Sequence, residues 1–151
     1  MLSRQGWLLL FLGAPGGKYP VDQIRVMKGM FLLSRTQGHP TQELYRFEPY
    51  DYGPFDARVY RDLDLLQLED MIRVTRLAGS SQKRYELTDA GQREFALLEQ
   101  TLPAQHVEEV RKVKKLVTDL SFDDLLKKIY TSFPEFAVNS VARVAQQGTT
   151  K

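Results

Sequence analysis

Six cations are the side chains whose types and spacing suggest chemistry. Arg73, Arg76, Lys83 and Arg84 flank the small polar run Ala78-Gly79-Ser80-Ser81-Gln82, with Glu86 as the acid beside them, and Arg58 and Arg61 lie on the segment before. Cations displayed around a short loop can neutralise phosphates and release counterions, the sequence-independent part of nucleic-acid affinity. The reactive alternatives have little to work with. The chain has no cysteine, hence no disulfide framework, thiolate metal site or Cys nucleophile. His39 and His106 are the only histidines, which puts a His-rich metal site out of reach. The neighbours Asp123 and Asp124 do not face each other on a helix. No serine-histidine-aspartate arrangement and no glycine-rich phosphate loop stands out. The reading is a protein with no catalytic residues, no cofactor and no metal.

The elements that must position the cations are legible around them. Gly53-Pro54 turns the chain into a helix over residues 54–69, proline being favoured in a first helical turn. Phe55, Val59, Leu63 and Leu66 recur on one face. The other face carries Asp56, Arg58, Arg61, Asp62, Asp64 and Glu69 and is net acidic. After Asp70 the period changes: Met71, Ile72, Val74 and Leu77 are broken by Arg73, Thr75 and Arg76, the pattern of a half-buried strand. Residues 78–82 form the hairpin loop, residues 83–87 the return strand, and Thr88 caps a helix running to Thr101. Helix, strand, loop, strand is the second half of a winged helix-turn-helix. The candidate DNA contacts are Arg58, Arg61, Arg73, Arg76, Lys83 and Arg84. The acidic helix leaves phosphate contact mainly to the wing.

The rest of the 151 residues suits one small fold with an appendage: a winged-helix core with N-terminal helices over 1–101, a helical extension over 102–138 and a flexible tail over 139–151. The apolar run from Trp7 to Leu12 is six residues, short of the roughly 7–15 of a signal peptide and the about 20 of a membrane span. Residues 3–12 therefore read as a buried first helix capped by Ser3 and ended by Gly13. Gly16-Gly17 is a loop. A core helix over 21–37 follows, in which Gly29 permits close approach of another element. His39 sits in a Gly-His-Pro turn and reads as exposed. Residues 42–48 alternate and read as the third strand of the wing sheet. Tyr50 and Tyr52 are expected to pin a loop to the core. In the helix after Thr88, Ala90, Phe95, Leu97 and Leu98 are the candidates to pack back. Over residues 103–119, His106, Val110, Val113 and Val117 form a narrow seam opposite Arg111, Lys112, Lys114 and Lys115. Such a helix either pairs with a second copy, brings a basic face near DNA, or packs on its own domain. Ser121 caps the last clear helix, with Leu125, Leu126, Ile129 and Tyr130 inward, and residues 147–151 are expected to be mobile.

Two resemblances add to this. The segment RYELTDAGQREF resembles winged-helix regulators of the PadR and MarR type, where a YxLTxxG segment ends the wing and opens the next helix; here it is Tyr85, Leu87, Thr88 and Gly91. More widely, Val26-Met27-Lys28-Gly29-Met30-Phe31-Leu32, then Tyr50-Asp51-Tyr52-Gly53-Pro54, then residues 125–130 with Phe133-Pro134-Glu135-Phe136, resemble the YwgA family and Panacea-type antitoxin domains. These resemblances imply a cytoplasmic bacterial or phage-associated protein that is not an enzyme. Its partner is then double-stranded DNA, gripped by a homodimer, or a protein such as a toxin. No membrane is involved. The fold class expected is α+β, mostly helical, with a winged helix-turn-helix core, a β-hairpin wing and further C-terminal helices.

Overall fold

The computed structural model describes residues 2–14, 20–76 and 78–140; the Gly16-Gly17 loop, Leu77 and the tail expected to be mobile lie outside them. The order is α1 (Arg4–Gly13), β1 (Val21–Asp22), α2 (Gln23–Ser34), a 3-10 turn (Pro40–Glu43), β2 (Glu48–Tyr50), β3 (Gly53–Phe55), α3 (Ala57–Leu68), β4 (Ile72–Arg76) and β5 (Lys83–Leu87). Then follow α4 (Asp89–Thr101), α5 (Ala104–Asp119), α6 (Phe122–Ser132) and a second 3-10 turn (Pro134–Phe136). The protein is α+β and mostly helical, as expected.

The core is built around α1. Every residue from Trp7 to Gly13 is buried, and Ser3 caps the helix by accepting from the Gly6 amide at 3.2 Å. A helix apolar on all sides belongs inside, and α2, α3, α4, α5 and β5 pack on it. α2 is shorter than the 21–37 expected. Val21 and Asp22 leave the helical pattern to pair with Tyr85 and Arg84 of β5, and the Asp22 carboxylate then caps α2 through the Arg25 amide at 3.1 Å. The first sheet is antiparallel, ordered β1-β5-β4.

That order corrects the expectation for residues 42–48, which are not the third strand. Their first residues close the 3-10 turn, and only Glu48 joins a strand. Tyr45 and Phe47 alternate inward because an irregular segment lies over the core, Phe47 meeting the Phe31 ring edge-on at 5.4 Å. The helix expected from Pro54 also starts later. Gly53, Pro54 and Phe55 form β3 and pair with β2, Pro49 standing opposite Pro54. Opposed residues that exchange no hydrogen bonds are where two prolines can sit, since neither has an N–H to give. Asp56 then caps α3. The helix ends with Asp70 at φ 60°, where the Asp70 amide donates to Gln67 O and the Met71 amide to Leu66 O. This paired arrangement satisfies the last carbonyls of α3 through one left-handed residue.

The Tyr85–Gly91 segment has a mechanical explanation. Tyr85 and Leu87 point into the core. The Thr88 side chain accepts from the Gly91 amide at 3.1 Å and donates to Asp70 O, tying the start of α4 to the end of α3. A Cβ on Gly91 would stand 2.0 Å from Met71 O, so only glycine lets α4 press on that carbonyl. Phe95 is buried and Leu98 packs against the core, but Leu97 is 58% exposed, contrary to its expected role.

α5 packs on its own domain. Val107, Val110, Lys114 and Val117 are its buried residues, facing α1 and α2. The seam considered for a second copy is thus occupied within the chain. Lys114 corrects its placement on the solvated face: it is 5% exposed, and Nζ donates to Phe11 O, Leu12 O and Ala14 O at 2.8, 3.0 and 2.7 Å. A cation at the negative end of α1 satisfies carbonyls that the helix leaves unpaired. His39 is corrected too. It is 2% exposed, its ring edge-on to Trp7 with centroids 4.7 Å apart. In α6, Leu125, Leu126, Ile129 and Tyr130 are buried as expected. No helix among the described residues is long and apolar enough to cross a membrane.

Candidate nucleic-acid interface

The antiparallel register of β4 and β5 decides how the hairpin cations are displayed. Residues directly opposite share a face, and successive residues alternate. Arg76 stands opposite Lys83, on the face of Val74, Tyr85, Ile72 and Leu87. Arg73 opposes Glu86, and Thr75 opposes Arg84, so Arg73 and Arg84 lie on the other face. The four cations are therefore two pairs. Arg73 Nη1 bonds Glu86 Oε1 at 3.2 Å across the strands. Arg84 is also in register with Asp22 of β1. Arg76 and Lys83 face each other at the end of the ladder, next to the exposed 78–82 loop, with no acidic partner among the described residues. Like charges directly opposite cost stability, on the order of 0.2–1 kcal/mol, and that cost is relieved by an anion between them.

The two arginines of α3 separate as well. Arg58 is held by Asp56, its Nη2 2.7 Å from Oδ2 and its Nε within 3.2 Å of both oxygens. Asp56 is 8% exposed and also accepts from the Arg58 and Arg46 amides at 2.9 and 2.7 Å. Burial alone would raise the Asp56 carboxyl, but the hydrogen bonds from Arg58 and Arg46 outweigh it and hold the group below the usual carboxylate range. Arg58 is a structural counter-ion to a helix cap. Arg61 is exposed, with no partner among the described residues. Asp62, placed on the polar face by its sequence position, is 1% exposed: it joins Arg4 Nε at 3.0 Å and accepts the Tyr45 hydroxyl at 2.6 Å.

The basic face of α5 is mostly committed elsewhere. With Lys114 buried, Arg111 pairs with Glu99 at 2.9 Å and Lys115 with Asp119 at 2.9 Å; Lys112 is exposed. Tyr50 and Tyr52 are not pinned in the core: they are 55% and 48% exposed, stacked on Phe55 and edge-on to Phe122. Both line a groove of about 320 Å³ whose other wall includes Ser81 and Gln82 of the hairpin loop. Two aromatic rings thus stand beside the loop that carries the Arg76–Lys83 pair. Sequence periodicity could not show this, because the groove is closed by segments about thirty residues apart.

The two histidines, which the sequence alone left too few for a His-rich metal site, come together with a carboxylate. His39, His106 and Glu109 converge where the turn after α2 meets α5. Burial pushes the His39 imidazole below its ordinary range, and Glu109 opposes that shift. The one signal available in the sequence was the i, i+3 spacing of His106 and Glu109, which puts them on one helix face. No protein-family model and no curated protein matches this chain.

Proposed function

We propose that the chain is a winged-helix DNA-binding protein without catalytic activity, gripping duplex DNA through the tip of the β4–β5 hairpin. The observation that carries the reading is the cross-strand register of Arg76 and Lys83, two cations on one face with no ion pair among the described residues, which a phosphate between them would neutralise. The order of elements supports it. Helix, strand, helix, helix and hairpin, with the first strand beside the second strand of the hairpin, is an order of elements compatible with a winged helix. The β2–β3 hairpin and the 3-10 turn inserted between α2 and α3 are a departure from the short connection of a simple helix-turn-helix. Arg61 and the exposed Tyr50 and Tyr52 hydroxyls offer further contacts to the phosphate backbone.

The test is binding to random-sequence duplex DNA across a salt series. Wild type is expected to bind at micromolar concentration in low salt, with affinity falling as salt rises. Arg76→Ala with Lys83→Ala should lower the slope of log affinity against log salt by roughly two. Arg73→Ala with Arg84→Ala, on the opposite face, should change it less. No binding at low salt, or an unchanged slope in the tip variant, sinks the reading.

One observation favours a second reading, a protein partner in the manner of an antitoxin or a defence-system subunit. The solvent side of α3 and its end combine Leu65 and Leu68, the latter 82% exposed, with Asp64, Glu69 and Asp70. An apolar strip edged by acids suits a protein surface better than a phosphate backbone.

A further inference from the structure

We propose that His39, His106 and Glu109 form a binding site for one divalent transition-metal ion of the zinc type, joining α5 to the turn that follows α2. The proposal is independent of the DNA-binding reading. One nitrogen of each imidazole and one Glu109 carboxylate oxygen lie within 4.8 Å of one another. The histidine rings are edge to face with centroids 5.2 Å apart. Ligand atoms on a tetrahedral zinc stand roughly 3.4 Å apart, from bonds of about 2.1 Å. Closing the remaining distance takes side-chain rotation of His106 and Glu109, which are 21% and 16% exposed and open the site to solvent.

The buried member carries the stronger observation. His39 Nδ1 is occupied, lying 2.8 Å from Thr41 Oγ1 and accepting from the Thr41 amide at 3.2 Å. Its Nε2 is fully buried and makes no hydrogen bond of good geometry, the His106 backbone being its polar neighbour, and the neighbouring Trp7 Nε1 is likewise unpaired among the described residues. A buried polar atom left unpaired is costly, and such atoms in a native core call for an unseen partner. With Nδ1 accepting, the imidazole proton sits on Nε2. On metal binding the proton moves from Nε2 to Nδ1, which then donates to Thr41 Oγ1 while the Thr41 amide gives up its bond to Nδ1, and the freed Nε2 lone pair turns to the ion. A hydrogen-bonded outer partner that holds the ring in place is the usual support of a metal-binding histidine, and Thr41 Oγ1 stands where it can take that role. The other two ligands arrive pre-paired, His106 Nδ1 lying 2.9 Å from Glu109 Oε1 one helical turn along α5.

The donor set selects the ion. Two imidazoles and one carboxylate suit zinc, cobalt or nickel, with water completing the coordination, whereas calcium and magnesium require oxygen-rich sites. The ion would anchor the start of α5 to the segment between α2 and β2.

The test uses the untagged full chain, stripped of metal and titrated with zinc chloride and cobalt chloride. Trp7 is the only tryptophan, and its ring touches His39, so its fluorescence reports on this site. The expected result is one saturable equivalent by calorimetry, a change in Trp7 emission, a raised Tm and a visible absorption band with cobalt. His106→Gln and Glu109→Gln should each weaken binding by about tenfold or more while leaving the far-ultraviolet circular dichroism intact. No saturable heat and no Trp7 response up to about 1 mM zinc, a limit weaker than any specific site of this kind, overturns the proposal. So does binding that survives both substitutions.

Discussion

Lys28 carries an ammonium group into the interior between α2 and β3. It is 4% exposed, and its one hydrogen bond goes to Pro54 O at 3.0 Å. Burial pulls its pKa down to about 7, and Lys114, also buried, is pulled to about 8. Three carbonyl acceptors offset part of the cost for Lys114, whereas Lys28 has one. In the unfolded chain both groups titrate near 10.5. Between about pH 7 and 9 the unfolded chain therefore binds more protons than the folded one, and stability rises with pH. Below that window both states are charged and the folded protein bears the full burial cost. Above it, Tyr60 and Tyr85, both raised to about 12 by burial, act in the opposite sense once the unfolded tyrosines ionise. Lys28→Met keeps the packing and removes the charge. It should stabilise the protein at pH 6 by about 1–2 kcal/mol and flatten the rise in urea midpoint between pH 7 and 9. A variant with the wild-type slope would show that Lys28 is not the titrating group. Such a residue is hard to see in a sequence: Lys28 stands in a helical run where a lysine normally reaches solvent, and its burial depends on the remote β2–β3 hairpin.

At the scale of elements, the close approach of α1 and α2 rests on Gly29. A Cβ there would stand 2.3 Å from the Phe11 ring, which is fully buried and has nowhere to turn. Gly29→Ala gains about 1 kcal/mol of helix propensity, but the clash costs about 1–3 kcal/mol or more. Net destabilisation of about 1–2 kcal/mol is expected in chemical denaturation, and Phe11→Leu in the same chain should recover part of it. Stabilisation by Gly29→Ala alone would mean that the two helices are not in register through Phe11. The need for a small residue at this point was legible, as were the caps Ser3, Thr88 and Ser121 and the β4–β5 hairpin, because those signals are local. β1 was not. Two residues make a strand only by pairing with Tyr85 and Arg84, more than sixty positions away. Pro54 misled for a related reason: a proline opening a helix and a proline opposite another proline in a hairpin have the same local sequence. The candidate site divides in the same way. The basic residues around the loop were identifiable from spacing, but which pair shares a face follows from register. The engagement of Arg58 with Asp56 follows from where α3 begins.

For the whole molecule, the boundary between residues 101 and 102 is crossed by the interactions that complete the core. Lys114 satisfies the last carbonyls of α1. Arg25 of α2 donates to Val117 O and Leu120 O, each at 2.8 Å. Phe31 meets Phe133 and Phe136 edge-on, with centroids 5.1 and 4.8 Å apart. Val110, Val117, Leu125, Leu126, Ile129, Tyr130 and Phe136 belong to the same apolar cluster as Trp7 and Phe11. Burying seven such side chains is worth on the order of 10 kcal/mol, which equals the whole net stability of an ordinary domain. Periodicity suggested helices after residue 102 but not their partners, because an amphipathic stripe fits a second copy and the chain's own core equally well. The full chain should accordingly unfold in one transition, with Trp7 fluorescence and far-ultraviolet circular dichroism changing together. A fragment of residues 1–101 should retain helix content but lose the cooperative transition and the fixed Trp7 environment, since α1 would then expose its α5 face and the carbonyls at its end would lose Lys114. A fragment that melts cooperatively with a native Trp7 spectrum would instead make the C-terminal helices an appendage. The salt-dependence assay could then be run on residues 1–101 alone, to ask whether the β4–β5 hairpin binds DNA without them.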